Sequence, residues 1–274
     1  MDDGIVGYVP EDGIAGYIPS GKYANVCRAC VDRIVAEESR RHKNARDRDR
    51  AVRNRLYQIT GAYSRHGAAA RAFERGLDDK LRGLDPANPA GWRADCLAEH
   101  ASTRERLPAL MEFYGYIKDI CSSAAVVADY GCGLNPFALP LWKPDGLTRY
   151  EAYDADTRCV DYANALFRRM GLPEAARALD LVAETPRTTA DAALLLKLLP
   201  VLDMQRVGRG LELLRDVASP IKVVSFPLAG LSGTDRARRI GGTAARFERD
   251  AVEAGLTVVE SRRVGSEMVF VISN

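Results

Sequence analysis

The chain has 274 residues and is 47% hydrophobic, enough for one large domain or two small ones around a real core. Its net charge of +2 hides an uneven distribution: 19 Lys/Arg against 12 Asp/Glu from Lys22 to Arg106 give +7, residues 1–21 give −4 and the remainder −1. Six cysteines without scaffold spacing, no apolar N-terminal signal region, and a most apolar window (Ala192 to Leu202) broken by Lys197 and Pro200 exclude a disulfide-built secreted domain and a membrane span, so a cytoplasmic chain with no membrane partner is expected.

In chain order, residues 3–10 (DGIVGYVP) recur at 12–19 (DGIAGYIP), a Gly/Pro duplication that cannot form a long helix and reads as a leader over residues 1–19. From Lys22 to about Ala98 the pattern turns helical, with Val26, Ala29, Cys30, Arg33, Ile34 and Glu37 as an inward stripe. Cys27-x-x-Cys30 is half of a zinc site at most, because no second pair follows at ligand spacing; two cysteines on a helix is the plainer reading, and no metal is expected. The run from Arg40 to Arg55 carries Arg40, Arg41, Lys43, Arg46, Arg48, Arg50, Arg53 and Arg55 against Asp47 and Asp49, hence +6 in sixteen residues. Such a run is often only a solvated helix face, but so large an excess on a fixed helical surface predicts phosphate contacts and RNA docking.

Tyr57 to Tyr63 closes this section, and residues 85–89 form a Pro-bounded loop. Ser102 and Glu105 stand at capping-box spacing for a helix running on through Met111, Phe113, Tyr114 and Ile117. Val126, Val127 and Ala128 read as a buried strand that breaks at Gly131-Cys132-Gly133, a turn where a ligand approaches bare backbone. A second strand, Tyr150 to Tyr153, ends in Asp154, placed to accept hydrogen bonds from a ribose. Asp180-Leu181 ends the next step, and Asp191 to Leu196 is an apolar fourth strand closed by Lys197. Each acid alone is as well explained as a helix cap. Together, glycine turn, ribose acid, later acid and apolar strand have the spacing of an S-adenosylmethionine-dependent methyltransferase core.

A helix bearing Val160, Ala163, Leu166, Phe167 and Met170 stops at Gly171, and another follows the fourth strand with Met204, Val207, Leu211 and Leu214 on one face. Ile221 to Phe226 is a fifth strand, Gly230 to Gly242 a loop, and Thr243 to Ala254 a helix. Leu256 to Arg263 and Met268 to Ser273 are joined by Gly265-Ser266, too short for a parallel crossover, so they pair antiparallel. The expected fold is α/β: a class I methyltransferase with a Rossmann-like, mostly parallel seven-stranded sheet and a C-terminal antiparallel hairpin (119–274), preceded by an all-α helical bundle (20–118).

HASTRERLP (100–108), DYGCGLNPF (129–137), YDAD (153–156), ALLLKLLPVLD (193–203), VSFP (224–227) and GSEMVFVIS (265–273) resemble the aminoglycoside-resistance 16S ribosomal RNA methyltransferases that modify N7 of guanine 1405. SGKY (20–23) and ITGAY (59–63) resemble their N-terminal domain. The resemblance implies S-adenosylmethionine contacts at Tyr63, His100, Ala101, Ser102, Arg106, Gly131, Asp154, Asp180, Leu181, Leu196 and Gln205, with Gly133 completing the turn and Arg106 facing the methionine carboxylate. It implies Lys197 beside the target base, and the 30S ribosomal subunit with its 16S rRNA as partner. One segment departs from the family pattern: in 228–248 Thr234 stands where an arginine is expected and no tyrosine follows, leaving Arg236, Arg238 and Arg239 as stand-ins.

Guanine N7 has a free lone pair, so its methylation needs alignment rather than a base, in accord with the absence of a catalytic dyad. Two rivals stay open on sequence: a class I methyltransferase acting on another RNA or a small molecule, and a ribosome-binding homologue with impaired turnover.

Overall fold

The computed structural model describes residues 19, 21–61, 67–83, 96–228 and 246–273. The duplicated leader up to residue 18, Tyr63, the 85–89 loop, and the 229–245 segment with Arg236 and Arg238 lie outside the described residues.

A seven-stranded sheet organises the chain: β1 (Val126–Tyr130), β2 (Arg149–Asp154), β3 (Ala176–Ala178), β4 (Ala192–Leu196), β5 (Ile221–Pro227), β6 (Thr257–Val264) and β7 (Glu267–Ser273), in the order β3-β2-β1-β4-β5-β7-β6. β1 to β5 pair in parallel, whereas β7 runs antiparallel between β5 and β6, as the short Gly265-Ser266 turn predicts. Nearly continuous apolar sequence in β1 and β4 follows from their central place, where both faces are covered. Along β4 the residues alternate between two cores: Ala192, Leu194 and Leu196 belong to one, Ala193 and Leu195 to the other.

The first core packs α5 (Leu110–Ile120), α6 (Leu139–Trp142) and α7 (Thr157–Arg169) on one face, burying Phe113, Ile117, Trp142, Leu166 and Phe167. The second packs α8 (Leu199–Gln205), α9 (Arg209–Asp216) and α10 (246–253) on the other through Leu202, Leu213, Leu214, Phe247 and Ala251. Full burial of each large side chain contributes about 1.5–3 kcal/mol. Residues 97–118, assigned by sequence to the bundle, thus pack into the sheet's own core. So does α3 (Gly67–Arg82), whose Phe73, Leu77 and Leu81 lie against α7.

Ahead of it, α1 (Arg28–Arg41) and α2 (Ala45–Leu56) form a helical pair with a separate small core of Tyr23, Val26, Cys30, Val31, Ile34, Val35, Val52 and Leu56. Asn44 caps α2 by accepting from the backbone N–H groups of Arg46 and Asp47. A wider π turn, Tyr57–Gly61, continues α2.

Four local expectations change. The inward stripe of α1 is Cys30, Val31, Ile34, Val35 and Glu38, so Ala29 is exposed and Glu38, not Glu37, is buried, because the helix starts only after Cys27. The predicted helix after β4 is two helices: the chain turns at Arg206 to Gly208, resetting the register and leaving Val207 92% exposed. The Ser102/Glu105 capping box does not form. Ser102 sits inside α4 (Ala101–Arg104) with its hydroxyl on His100, and the Glu105 carboxylate is taken by Lys197. Finally, Arg55 is buried rather than presented to solvent with its basic neighbours.

Candidate active site

The strand order reverses between β1 and β4, and in such sheets ligands settle beyond the carboxyl ends of the strands at that point. There lies a cavity of about 740 Å³ including its open mouth, lined by Gly131 after β1, Asp154 to Asp156 after β2, Leu179 to Val182 after β3 and Leu196 to Leu198 after β4. Gly131 and Gly133 hold φ of 65° and 49°, in the left-handed region. A Cβ at Gly131 would lie 2.6 Å from Leu198 Cδ1, and one at Gly133 2.9 Å from His100 Cε1, so a side chain at either position would be strained and would displace Leu198 or His100.

Asp154 binds that turn to β2: one carboxylate oxygen accepts from the Gly133 N–H at 2.7 Å, the other from the Asp156 N–H at 2.8 Å. Burial pushes its carboxyl up to about 6, although backbone donors at Asp156, Gly133 and Ala155 favour the ionised form. A carboxylate has about four acceptor sites, so one is left for a ligand hydroxyl. Asp156 caps α7 through the Arg158 N–H, the role that acids after strands often play. Burial also holds the His100 imidazole neutral, down to about 4.

The helical pair roofs the cavity. Cys30 and Ile59 line it from above, and three ties fix the roof to three loops. The Cys27 N–H donates to the Ala155 carbonyl at 2.7 Å; Arg33 grips Asp180 through two bonds of 2.6 and 3.2 Å; and Arg55 donates to the Gln205 side chain and carbonyl, both at 3.2 Å. Gln205 returns a bond to the Arg55 carbonyl, while Glu37 and Glu38 hold the Arg55 guanidinium from its own helices.

Lys197, directly after β4, is the non-glycine residue of the described chain at positive φ, 58°, a conformation costing about 1 kcal/mol. Its ammonium is held by three acceptors: Glu105 at 2.7 Å, the Ser102 carbonyl at 3.1 Å and Glu267 at 3.1 Å. Glu267 is itself fully buried, gripped by Arg106 at 2.7 and 3.1 Å and by the Ser225 hydroxyl at 2.6 Å. Burial alone would raise its carboxyl, but Arg106 and Lys197 hold it below the usual carboxylate range. Behind this pair, Asn135 donates to Asp129 at 2.9 Å and accepts from the Tyr114 hydroxyl at 2.7 Å.

His100, Ser102, Gly131, Asp154, Asp180, Leu181, Leu196, Lys197 and Gln205 all line this one cavity. Ala101, Arg106 and Gly133 do not line it: Ala101 is buried under α4, Gly133 serves the turn from behind, and the fork of Arg106 is filled by Glu267. Tyr63 lies outside the described residues. Sequence reading passed over Cys30, Ile59, Leu198, Val201 and Leu202 as cavity residues. A signal existed for Leu202, which follows Leu198 at helical spacing after the apolar strand; none existed for Ile59.

A family model described as ribosomal RNA methyltransferase (FmrO) matches residues 19–271. The chain belongs to that ribosomal RNA methyltransferase family. Within it, the 16S rRNA (guanine(1405)-N(7))-methyltransferase of Micromonospora rosea is 32% identical over 255 residues, 92% of each chain. The Proteus mirabilis enzyme of the same designation is 29% identical over 93% of each. The crystal structure of the 16S rRNA methyltransferase RmtF in complex with S-adenosyl-L-homocysteine superposes with a TM-score of 0.77 at 35% identity, covering 92% of this chain and 93% of that one. The family match therefore includes the roof as well as the sheet. Among the described residues no helix is long and apolar enough to cross a membrane, and no group of three or more His, Cys, Asp or Glu side chains is placed to hold a metal.

Proposed function

We propose that this chain is an S-adenosylmethionine-dependent 16S rRNA methyltransferase that modifies N7 of guanine 1405 in the decoding site of the 30S subunit. The observation that carries this is identity of about one third to curated enzymes of that designation across both the helical pair and the sheet. The cavity suits the cofactor on its own terms. A glycine cradle with no room for a Cβ, a carboxylate with an acceptor site left for a ribose hydroxyl, and apolar walls from Leu179, Leu181, Leu198 and Val201 match a nucleoside. When bound, S-adenosylmethionine supplies an electrophilic methyl group on its sulfonium.

The chain's own residues orient and enclose. Asp154 fixes a ribose, Gly131 offers bare backbone, and the roof covers the cavity with Cys30 and Ile59. Lys197 brings an ammonium whose donors are already shared among three acceptors, a well-anchored positive charge. Since guanine N7 carries no proton, alignment of N7 with the methyl group in the cavity meets the chemical need without a base. N7 faces the deep groove of A-form RNA, so the base is presented flipped from its stack.

Docking falls to the outer side of α1 and α2. Arg40, Arg41, Lys43, Arg46, Arg50 and Arg53 are exposed and Arg48 half-buried; with Asp47 and Asp49 these seven cations leave +5 there. Such a surface contacts rRNA phosphates in the cytoplasm, and a methyl group with its positive charge at the decoding site confers aminoglycoside resistance. The test is transfer of tritium from labelled cofactor into purified 30S subunits. Label at one guanine, mapped by primer extension to position 1405, is the expected result; label at another base, or in a free small molecule, overturns it.

A further inference from the structure

Cys27 and Cys30 have no part in the chemistry above, yet they meet at its edge. Their sulfurs lie 3.1 Å apart and share one hydrogen; both residues are buried, and Cys30 lines the cavity while Cys27 does not. Cys27 is the N-cap of α1 and Cys30 its third residue, so the pair stands in the first turn, where the helix dipole favours a thiolate. The hydrogen bond from Cys30 pulls Cys27 below the ordinary thiol range against the effect of burial, and the same bond together with burial pushes Cys30 up. Cys27, at the N-cap and the less buried of the two, is placed as the nucleophile, and Cys30 as the resolving thiol.

The same turn is anchored to the cavity wall at both ends. Cys27 N–H holds the Ala155 carbonyl at 2.7 Å, and Arg33, one turn beyond Cys30, holds Asp180 at 2.6 Å. A disulfide would bring the two sulfurs from 3.1 Å to about 2.05 Å, displacing the Cys30 side chain on the cavity wall between those two anchors.

We propose that Cys27-x-x-Cys30 is a reversible dithiol–disulfide site addressed by small disulfides of the glutathione class, and that closing it antagonises occupancy of the cavity by the cofactor. The Cys27 thiolate attacks one sulfur of the disulfide and expels one thiolate, forming a mixed disulfide. Cys30 passes its proton to that thiolate and attacks the Cys27 sulfur; the Cys27–Cys30 bond forms, the mixed bond breaks, and a second thiol leaves after taking up the proton first lost by Cys27. The sum is two protein thiols and one disulfide giving one protein disulfide and two small thiols. Coupling between two ligands of one wall is reciprocal: whatever factor oxidation takes from cofactor affinity, the cofactor returns by favouring the dithiol.

The linkage rests on the cavity being the cofactor site, and the experiment separates the two. The full chain is equilibrated in glutathione buffers of graded ratio with and without saturating S-adenosylhomocysteine; free thiols are then trapped and the disulfide counted by intact mass. Wild type should form one internal disulfide, reversed by dithiothreitol, and S-adenosylhomocysteine should shift the midpoint at least about fivefold toward more oxidising ratios. Cys27→Ser should form none and bind S-adenosylhomocysteine in calorimetry as the reduced wild type does. No internal disulfide in fully oxidised glutathione, or a midpoint that S-adenosylhomocysteine leaves in place, overturns the proposal. If reduced wild type and Cys27→Ser both fail to bind S-adenosylhomocysteine, the cavity assignment falls and the linkage with it, even where the disulfide forms.

Discussion

The arginines of α1 and α2 divide into two groups with opposite fates. Arg33 and Arg55 point inward and end on Asp180, Glu37, Glu38 and Gln205, where they clamp the roof to the cavity. Arg40, Arg46, Arg50 and Arg53 stay exposed, with partners no further away than their own helix. The same residue type on the same pair of helices serves enclosure on one side and offers charge on the other. What decides is the company each keeps: Arg55 shares a stripe with Val52 and Leu56, which a count of charge cannot register.

Four substitutions or conditions test that division. Arg55→Ala strips Glu38 and Gln205 of a buried partner and should cost roughly 3–5 kcal/mol, with a fall in thermal midpoint and loss of S-adenosylhomocysteine binding by calorimetry. An Arg55→Ala protein of unchanged stability would place Arg55 with the outward group. Asp154→Ala removes a charged acceptor from the cavity and should weaken S-adenosylhomocysteine by about 1.5–3 kcal/mol while sparing 30S binding. Charge reversal at Arg46, Arg48 and Arg50 should do the opposite: sedimentation with 30S subunits weakens, the salt slope flattens by about 1 for each phosphate no longer neutralised, and cofactor affinity is unchanged. If one variant strikes both ligands, enclosure and docking are not separate tasks.

The smallest effect is the pH dependence of Asp154. Its folded carboxyl is raised to about 6, so its charged form is the disfavoured one in the free protein; the stability it contributes is fully present below the ordinary value of 3.8 and is lost as pH rises to about 6. Ligand binding runs the other way, because the carboxylate is the better acceptor for ribose hydroxyls. Cofactor affinity should therefore fall about tenfold between pH 7 and pH 5, and Asp154→Asn should flatten that profile in calorimetry.

The sheet was legible in the sequence because its strands are short apolar runs with both faces covered, and the acids that end them mark their carboxyl tips. The two-residue turn before β7 alone fixed the antiparallel hairpin. The roof was not legible. Arg33 reaches Asp180 across 147 positions and Arg55 reaches Gln205 across 150, and no local period encodes a pairing at that range. For the same reason Arg106, read as a carboxylate clamp for the cofactor, proved to have found its carboxylate 161 residues later, on β7. The Ser102/Glu105 spacing was true to the capping pattern but lost Glu105 to a lysine 92 positions away, a stronger partner than a backbone amide.

That β7 carries Glu267 to a place inside the edge strand β6 has a bearing on how the molecule is made. It follows the other six strands in the chain yet takes an interior place, between β5 and β6, so during synthesis β5 waits with an open edge until the last strand emerges. Until then Arg106 and Lys197 lack the carboxylate they share. A nascent chain can thus assemble β1 to β4 and most of the cavity wall well before Lys197 meets Glu267, and the last contacts arrive in a single late step.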